Sequence, residues 1–204
     1  MAFQLAYRLT NNEICATYEA AQVRRFRLGR TETVRTCTSE SADFVAAMLD
    51  SGRTDDARRV LFRKAVERHG RDMRLASAGQ GIDRHLFGLR KILPEVAPTL
   101  TEKDKQVAEA FLNDELLARS ATWKMSTSQI YIRHSPTYGW GPVVDGGYGL
   151  PYMIHPESLQ LSVTTQKDVD GQALVDNFCK ACDMILELMD SPEAHEQRAK
   201  QAAE

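Results

Sequence analysis

Three consecutive hydroxyls, Ser126, Thr127 and Ser128 in "KMSTSQI", interrupt what otherwise reads as a buried strand ahead of the glycine-rich "GWGPVVDGGYGLPYMI". A hydroxyl buried without a partner is costly. The run is therefore either a turn or solvated strand end, or a row of donors aimed at developing negative charge. The second reading calls for a reaction that forms an oxyanion, as acyl transfer does. Arg84 in "GIDRHLFGL" is either a surface arginine or a planar fork held for a carboxylate; its neighbour His85 reads as a structural histidine. Trp140 stands between Gly139 and Gly141. It either fills core or offers its ring face to a quaternary ammonium. The stretch from Arg24 to Arg35 holds five arginines against Glu32 alone, a solvated face or one that holds phosphates. Cys179 and Cys182 form a CxxC inside a helical pattern. With no second pair at metal-ligand spacing they read as ordinary helix positions, and no metal site is expected.

The elements that must carry these residues follow from periodicity. Residues 2–10 read as a helix, and "EICATYEA" as a strand with Ile14, Ala16 and Tyr18 alternating. Gly29 marks a turn. Ser39 caps the helix "ESADFVAAMLD", which Gly52 closes. Apolar residues at helical spacing run from about Asp55 to Ala78; "GQG" then separates a helix "IDRHLFGLRKIL" that Pro94 stops. A helical segment near 102–112 leads to Trp123 and the hydroxyl run. Strands near 148–154 and 158–164 and a helix from about 170 to 190 follow, with a polar tail over 191–204. The total of about five strand segments among many helices implies one α/β (α+β) domain over 1–190, a mixed sheet flanked by helices. It opens on a helix where such a sheet usually opens on a strand, so the chain reads as the later part of a larger structure.

The 204 residues are 43% hydrophobic and 26% charged, with net charge −2. That balance gives no reason to expect nucleic acid or an anionic membrane as partner. No apolar run approaches the ~20 residues of a membrane span, and "MAFQLAYRLT" lacks the features of a signal peptide. Four cysteines without framework spacing imply a reducing compartment.

Five segments, "CATYEAA", "GRTETVRTCTSESADFV", "GQGIDRHLFGLR", "MSTSQ" and "GPVVDGGYGLPY", occur in an order and spacing that resemble the C-terminal half of the choline/carnitine O-acyltransferases. The resemblance runs from about residue 3 to 190 and is nearest to the carnitine palmitoyl- and octanoyltransferases. It implies the coenzyme A-dependent acyltransferase fold, C-terminal domain only, in which two related domains meet around a tunnel. The implied activity moves an acyl group between coenzyme A, a co-substrate and not a resident cofactor, and the hydroxyl of carnitine. Tyr18, Thr31 and Arg84 match positions that hold the carnitine carboxylate, with Ser126 assisting. Ser128 matches the oxyanion-stabilising hydroxyl, and Trp140 the aromatic near the trimethylammonium. Tyr138 and Ile130 fall in the acyl tunnel, and Glu19 and Gln129 on the coenzyme A side. Choline lacks a carboxylate, so Arg84 and Thr31 mark the carnitine branch.

The chain departs from the family pattern in two places. None of His69, His85, His134, His155 and His195 has an aspartate in the family's context four residues on, so the catalytic base is expected in an N-terminal half outside this chain. Ala20 and Gln22 replace serines that often face the nucleotide. The chain alone is expected to be inactive, or else a binding remnant of the fold. Acyl length divides: the motifs favour a medium or long chain, whereas Tyr138 stands where short-chain members close the tunnel. Mitochondrial or peroxisomal placement is what the resemblance implies.

Overall fold

The periodic apolar residues at the two ends of the chain come together as helices, and the strands between them form one sheet. The computed structural model describes residues 1–130, 134 and 137–190, which form two units; the polar tail and His195 lie outside the described residues.

The first unit holds α1 (Ala2–Asn11), α2 (Ser39–Leu49), the start of α3 (Asp55–Ser77) and α7 (Gly171–Met189). Helix α1 buries Gln4, Leu5, Ala6 and Tyr7, and packs on α7 and α2. Helix α7 buries Leu174, Phe178, Ala181 and Leu188, one helical stripe, and Phe178 stacks on Phe3 with ring centroids 4.7 Å apart. Cys179 and Cys182 sit on α7, in the helix that their surroundings implied, as free thiols. Helix α2 is capped by Thr38, not Ser39. Thr38 Oγ1 accepts from Ser41 N while Ser41 Oγ accepts from Thr38 N, a capping box whose geometry the residue nearer the helix cannot supply. The helix ends at Leu49, and Gly52 N then donates to the Asp50 carboxylate, so Gly52 belongs to the turn beyond the helix.

The second unit contains the rest of α3, α4 (Asp83–Val96), α5 (Glu102–Leu112), α6 (Glu115–Ser120) and the sheet. Strands β1 (Thr17–Gln22), β2 (Thr31–Val34), β3 (Met125–Gln129), β4 (Tyr148–Ile154) and β5 (Leu159–Leu161) lie in the order β2-β1-β3-β4-β5. The two inner pairs β1/β3 and β3/β4 are parallel and the outer pairs antiparallel, the mixed sheet expected. Three expectations change. The face of β1 buried most deeply is Thr17, Glu19 and Ala21, and Ile14 is 46% exposed outside the strand, because a carboxylate with enough hydrogen-bond donors is buried in place of the apolar set. Strand β2 comes from within the arginine-rich stretch. Helix α4 continues through Pro94 to Val96, since a proline one turn from a solvated helix end forfeits a single hydrogen bond.

Pro151 is tolerated inside β4 for a related reason. Tyr148 N donates to Lys124 O and Ile130 N to Tyr152 O, so the even-numbered peptide groups of β4 face β3. Gly149 and Pro151 face the short edge strand, where Ser162 N donates to Pro151 O and no ladder bond is lost from the centre.

Among the described residues the largest fully buried side chain is a charged one. Arg59 Nε donates to Leu188 O at 2.9 Å, satisfying a carbonyl in the last turn of α7, and Nη1 pairs with Asp56 at 2.7 Å. Replacing Arg59 by alanine removes this plug and strands the carbonyl, so thermal or urea unfolding is expected to show a loss of about 2–4 kcal/mol. Arg53, paired with Asp50 at 3.5 Å in solvent, is the control, with an expected change within about 0.5 kcal/mol.

Candidate functional site

Register places the candidate hydroxyls on one face. Tyr18 lies opposite Ser126, which lies opposite Gly149; Ser128, two residues on, lies opposite Pro151. Directly paired residues and those two apart share a sheet face. Gly149 carries Trp140 above it: a Cβ there would overlap the Trp140 carbonyl and Thr164 Oγ1, which are themselves hydrogen-bonded. Tyr18, Ser126, Ser128 and Trp140 are therefore brought together across three adjacent strands. Thr31 pairs with Gln22 and shares the same face through Tyr18, Ala20 and Gln22. Beside Trp140, a Cβ on Gly139 or Gly141 would meet nothing within 4 Å, so the two glycines stand in open space. The indole Nε1 is buried without a partner among the described residues.

Arg84, from α4, reaches the edge of the sheet at Thr31. Its Nε donates to the Thr31 carbonyl at 2.7 Å, and its terminal nitrogens have no partner among the described residues. Two contacts set that position. The Glu32 carboxylate, 2% exposed, accepts from Arg84 N at 3.2 Å and from Thr33 N at 2.6 Å, placing an anion at the first turn of α4. Gly81 must be glycine because a Cβ there would overlap the Glu32 side chain. Arg35 then grips Asp83 through Nε and Nη2, at 3.0 and 2.8 Å, and lies 5.0 Å from the Trp123 ring centroid, whose edge meets Tyr18. Glu32, Arg35, Asp83 and Trp123 were not singled out from sequence. The available signal was a strand-like "TETVR" that supplies one carboxylate and one guanidinium, with an acid immediately before Arg84.

On the opposite face Glu19 is buried, and burial pushes its carboxyl up despite hydrogen bonds from Thr127, Gln129 N and Tyr152. The donor count agrees. Thr127 Oγ1 lies 2.8 Å from Tyr18 O and 2.5 Å from Glu19 Oε2, and it has one proton to give. When Glu19 is protonated it donates to Thr127, which donates to Tyr18 O, and every group is satisfied. Burial and Glu19 also raise the Tyr152 phenol.

Tyr138 spans the ends of β3 and β4. Its hydroxyl accepts from Ile130 N at 2.9 Å and reaches Ser128 O at 2.8 Å and Tyr152 O at 3.0 Å, with the ring 5.7 Å from that of Trp140. Here a cleft of about 650 Å³ opens, lined by Ala20, Gln22, Thr31, Ser128, Gln129 and Ile130 among others; no described histidine lines it. Ser128 Oγ has no partner among the described residues. Among the described residues the arrangement offers free hydroxyls, a guanidinium fork and an aromatic face, and no histidine.

Because the folded-state value of Glu19 lies above the ordinary one, its contribution to stability is complete below the ordinary glutamate range. It is lost as pH rises through the raised value. Urea unfolding across about pH 4–8 is expected to show stability falling with pH, and Glu19→Gln to remove that slope. The amide fits: Nε2 donates to Thr127 and Tyr152 while Oε1 accepts from Gln129 N. An unchanged slope in the variant would assign the dependence elsewhere.

The model of the Choline/Carnitine o-acyltransferase family matches residues 1–181. Carnitine O-palmitoyltransferase 1, liver isoform, of Homo sapiens is 42% identical over 78% of this chain and 21% of its own length. The Homo sapiens muscle isoform is 39% identical over 96% of the chain and 26% of its own length. Carnitine O-acetyltransferase of Columba livia is 35% identical over 80% of the chain and 25% of its own length. The chain thus spans a fifth to a quarter of these relatives. It belongs to the choline/carnitine O-acyltransferase family.

Proposed function

We propose that this chain supplies the carnitine-binding and oxyanion-stabilising half of a carnitine O-acyltransferase site, acting on a medium- or long-chain acyl group carried by coenzyme A. The observation that carries the reading is the single sheet face that gathers Tyr18, Thr31, Ser126, Ser128 and Trp140, with the Arg84 fork fixed at its edge. A guanidinium with no partner among the described residues suits a carboxylate, and an indole ring suits a trimethylammonium. Ser128 donates its hydroxyl to the oxyanion of the tetrahedral intermediate as the carnitine oxygen attacks the thioester carbon. The proton leaving carnitine goes to a histidine of an N-terminal portion, and the thiolate departs as coenzyme A. Gln129, Ile130 and the upper edge of β1 near Glu19 face the acyl-coenzyme A side. Glu19 acts there as a buried support, holding Gln129 N and not the substrate.

The chain mixed with an N-terminal portion of a relative, assayed beside the chain alone, tests the division of labour: turnover is expected from the mixture and none from the chain. In that mixture Arg84→Ala removes a charge-assisted pair worth about 1.5–3 kcal/mol, so KM for carnitine is expected to rise ten- to hundredfold with KM for acyl-coenzyme A little changed. Ser128→Ala is expected to lower kcat by about 10²–10³ at nearly constant KM. A mixture that binds carnitine but never turns over would make the chain a binding remnant.

Acyl length has support on both sides. Identity is 39–44% to the palmitoyltransferases, against 35–38% to the acetyltransferases. The Tyr138 hydroxyl, held at the strand ends beside Ser128, favours a short-chain site, since a ring fixed there fills the room of several methylenes. Tyr138→Gly, assayed with acetyl-, octanoyl- and palmitoyl-coenzyme A, decides. If the parent already accepts palmitoyl, the variant should gain little. If the parent takes only acetyl and the variant gains longer chains, at about 0.8 kcal/mol per buried methylene, the short-chain reading replaces ours.

A further inference from the structure

The segment joining β1 to β2, "VRRFRLGR" over residues 23–30, has a character that the site does not require. It carries Arg24, Arg25, Arg27 and Arg30, all exposed, and no acidic residue. Among the described residues none of the four has an ion-pair partner; Arg24, on the rim of the cleft, reaches only Gln22. The loop is nonetheless built. Phe26 N donates to Val23 O at 3.1 Å, Gly29 N to Phe26 O at 2.9 Å and Val23 N to Arg30 O at 3.3 Å. The Phe26 ring packs against Gly79, where a Cβ would come within 2.9 Å of it.

This frame presents Leu28 to solvent. The leucine is 92% exposed, more than any other large hydrophobic residue described, and Phe26 below it is 46% exposed. Leu28 also has φ 61°, a conformation that strains a leucine and costs glycine nothing. Among the described residues no packing offsets that strain, since the side chain stands almost wholly in solvent. An aliphatic tip ringed by unpaired guanidiniums matches an anionic bilayer, whose headgroups take the arginines and whose acyl boundary takes the leucine. A free phosphate or a nucleic acid would use the arginines and gain nothing from Leu28. With a net charge of −2 for the whole chain, attraction to such a surface is local to the loop.

We propose that loop 23–30 docks this chain on an anionic lipid surface, Leu28 entering the headgroup boundary and Arg25, Arg27 and Arg30 lying on the headgroups. The proposal does not depend on the acyl-transfer reading, and its test needs no turnover. The 204-residue chain is floated with phosphatidylcholine vesicles and with vesicles of phosphatidylcholine and phosphatidylserine in equal parts. Binding is expected only to the second, weakening with salt. Arg25→Ala and Arg27→Ala are each expected to weaken it roughly fivefold. Leu28→Gly should also weaken it while Tm holds or rises, since glycine adopts the same φ without strain, so misfolding cannot account for the loss. Equal binding to neutral vesicles overturns the proposal, as does binding indifferent to these variants or no binding by a chain that circular dichroism shows to be folded. If the arginine variants weaken binding and Leu28→Gly does not, the loop is a bare anion site and the insertion is refuted.

Discussion

The centre of the sheet depends on a carboxyl group that burial would normally exclude. Glu19 on β1 takes donors from Gln129 N on β3 and Tyr152 on β4, and exchanges a short hydrogen bond with Thr127. Three strands are thereby tied at one point, and only in one register, because slipping β1 by a residue would turn Glu19 to the opposite face. The same register decides which hydroxyls face the cleft. Thr127 is spent on the tie, and its neighbours Ser126 and Ser128 point the other way, Ser126 buried and Ser128 lining the cleft. A middle residue that holds the strand and two flanking residues on the other face is what the alternation of a strand makes from three consecutive hydroxyls.

A second anchoring operates at the edge. Glu32 on β2 and Arg35 just beyond its end hold the backbone of Arg84 and the carboxylate of Asp83. The first turn of α4 is thus fixed to the sheet by an ion pair of limited exposure and a buried acceptor at the helix N-terminus. Helix α4 has no buried residues of its own, so these polar contacts, and not core packing, set where the Arg84 guanidinium stands. The residues that anchor this turn therefore decide where the arginine stands beside Thr31.

Much of this was legible in the amino-acid order. Helical periodicity located α1, α3, α5 and α7 closely, and the five motifs were enough to identify the family and to name Tyr18, Thr31, Arg84, Ser126, Ser128 and Trp140 as one set. Local pattern was misleading where a polar interaction outweighed it. The alternation around Ile14, Ala16 and Tyr18 indicated the wrong buried face, because apolar alternation cannot register a buried glutamate that finds its donors on strands more than a hundred residues away. Strand β2 was hidden in an arginine-rich stretch for the same reason: its inward residue is Glu32, satisfied by the N-terminus of α4.

By itself, then, the sequence determined the family, because motif order and residue type are one-dimensional properties, and it determined the helices, because their stabilising pattern repeats within a few residues. Tertiary structure alone decided which face of each strand looks inward, how the Arg84 fork is held and that Tyr138 is fastened beside Ser128. Each of those outcomes rests on hydrogen bonds between strands and loops distant along the chain. Their partners, a carbonyl of β3 for Tyr138 and a carboxylate of β2 for the amide of Arg84, exist as partners only once the sheet has closed.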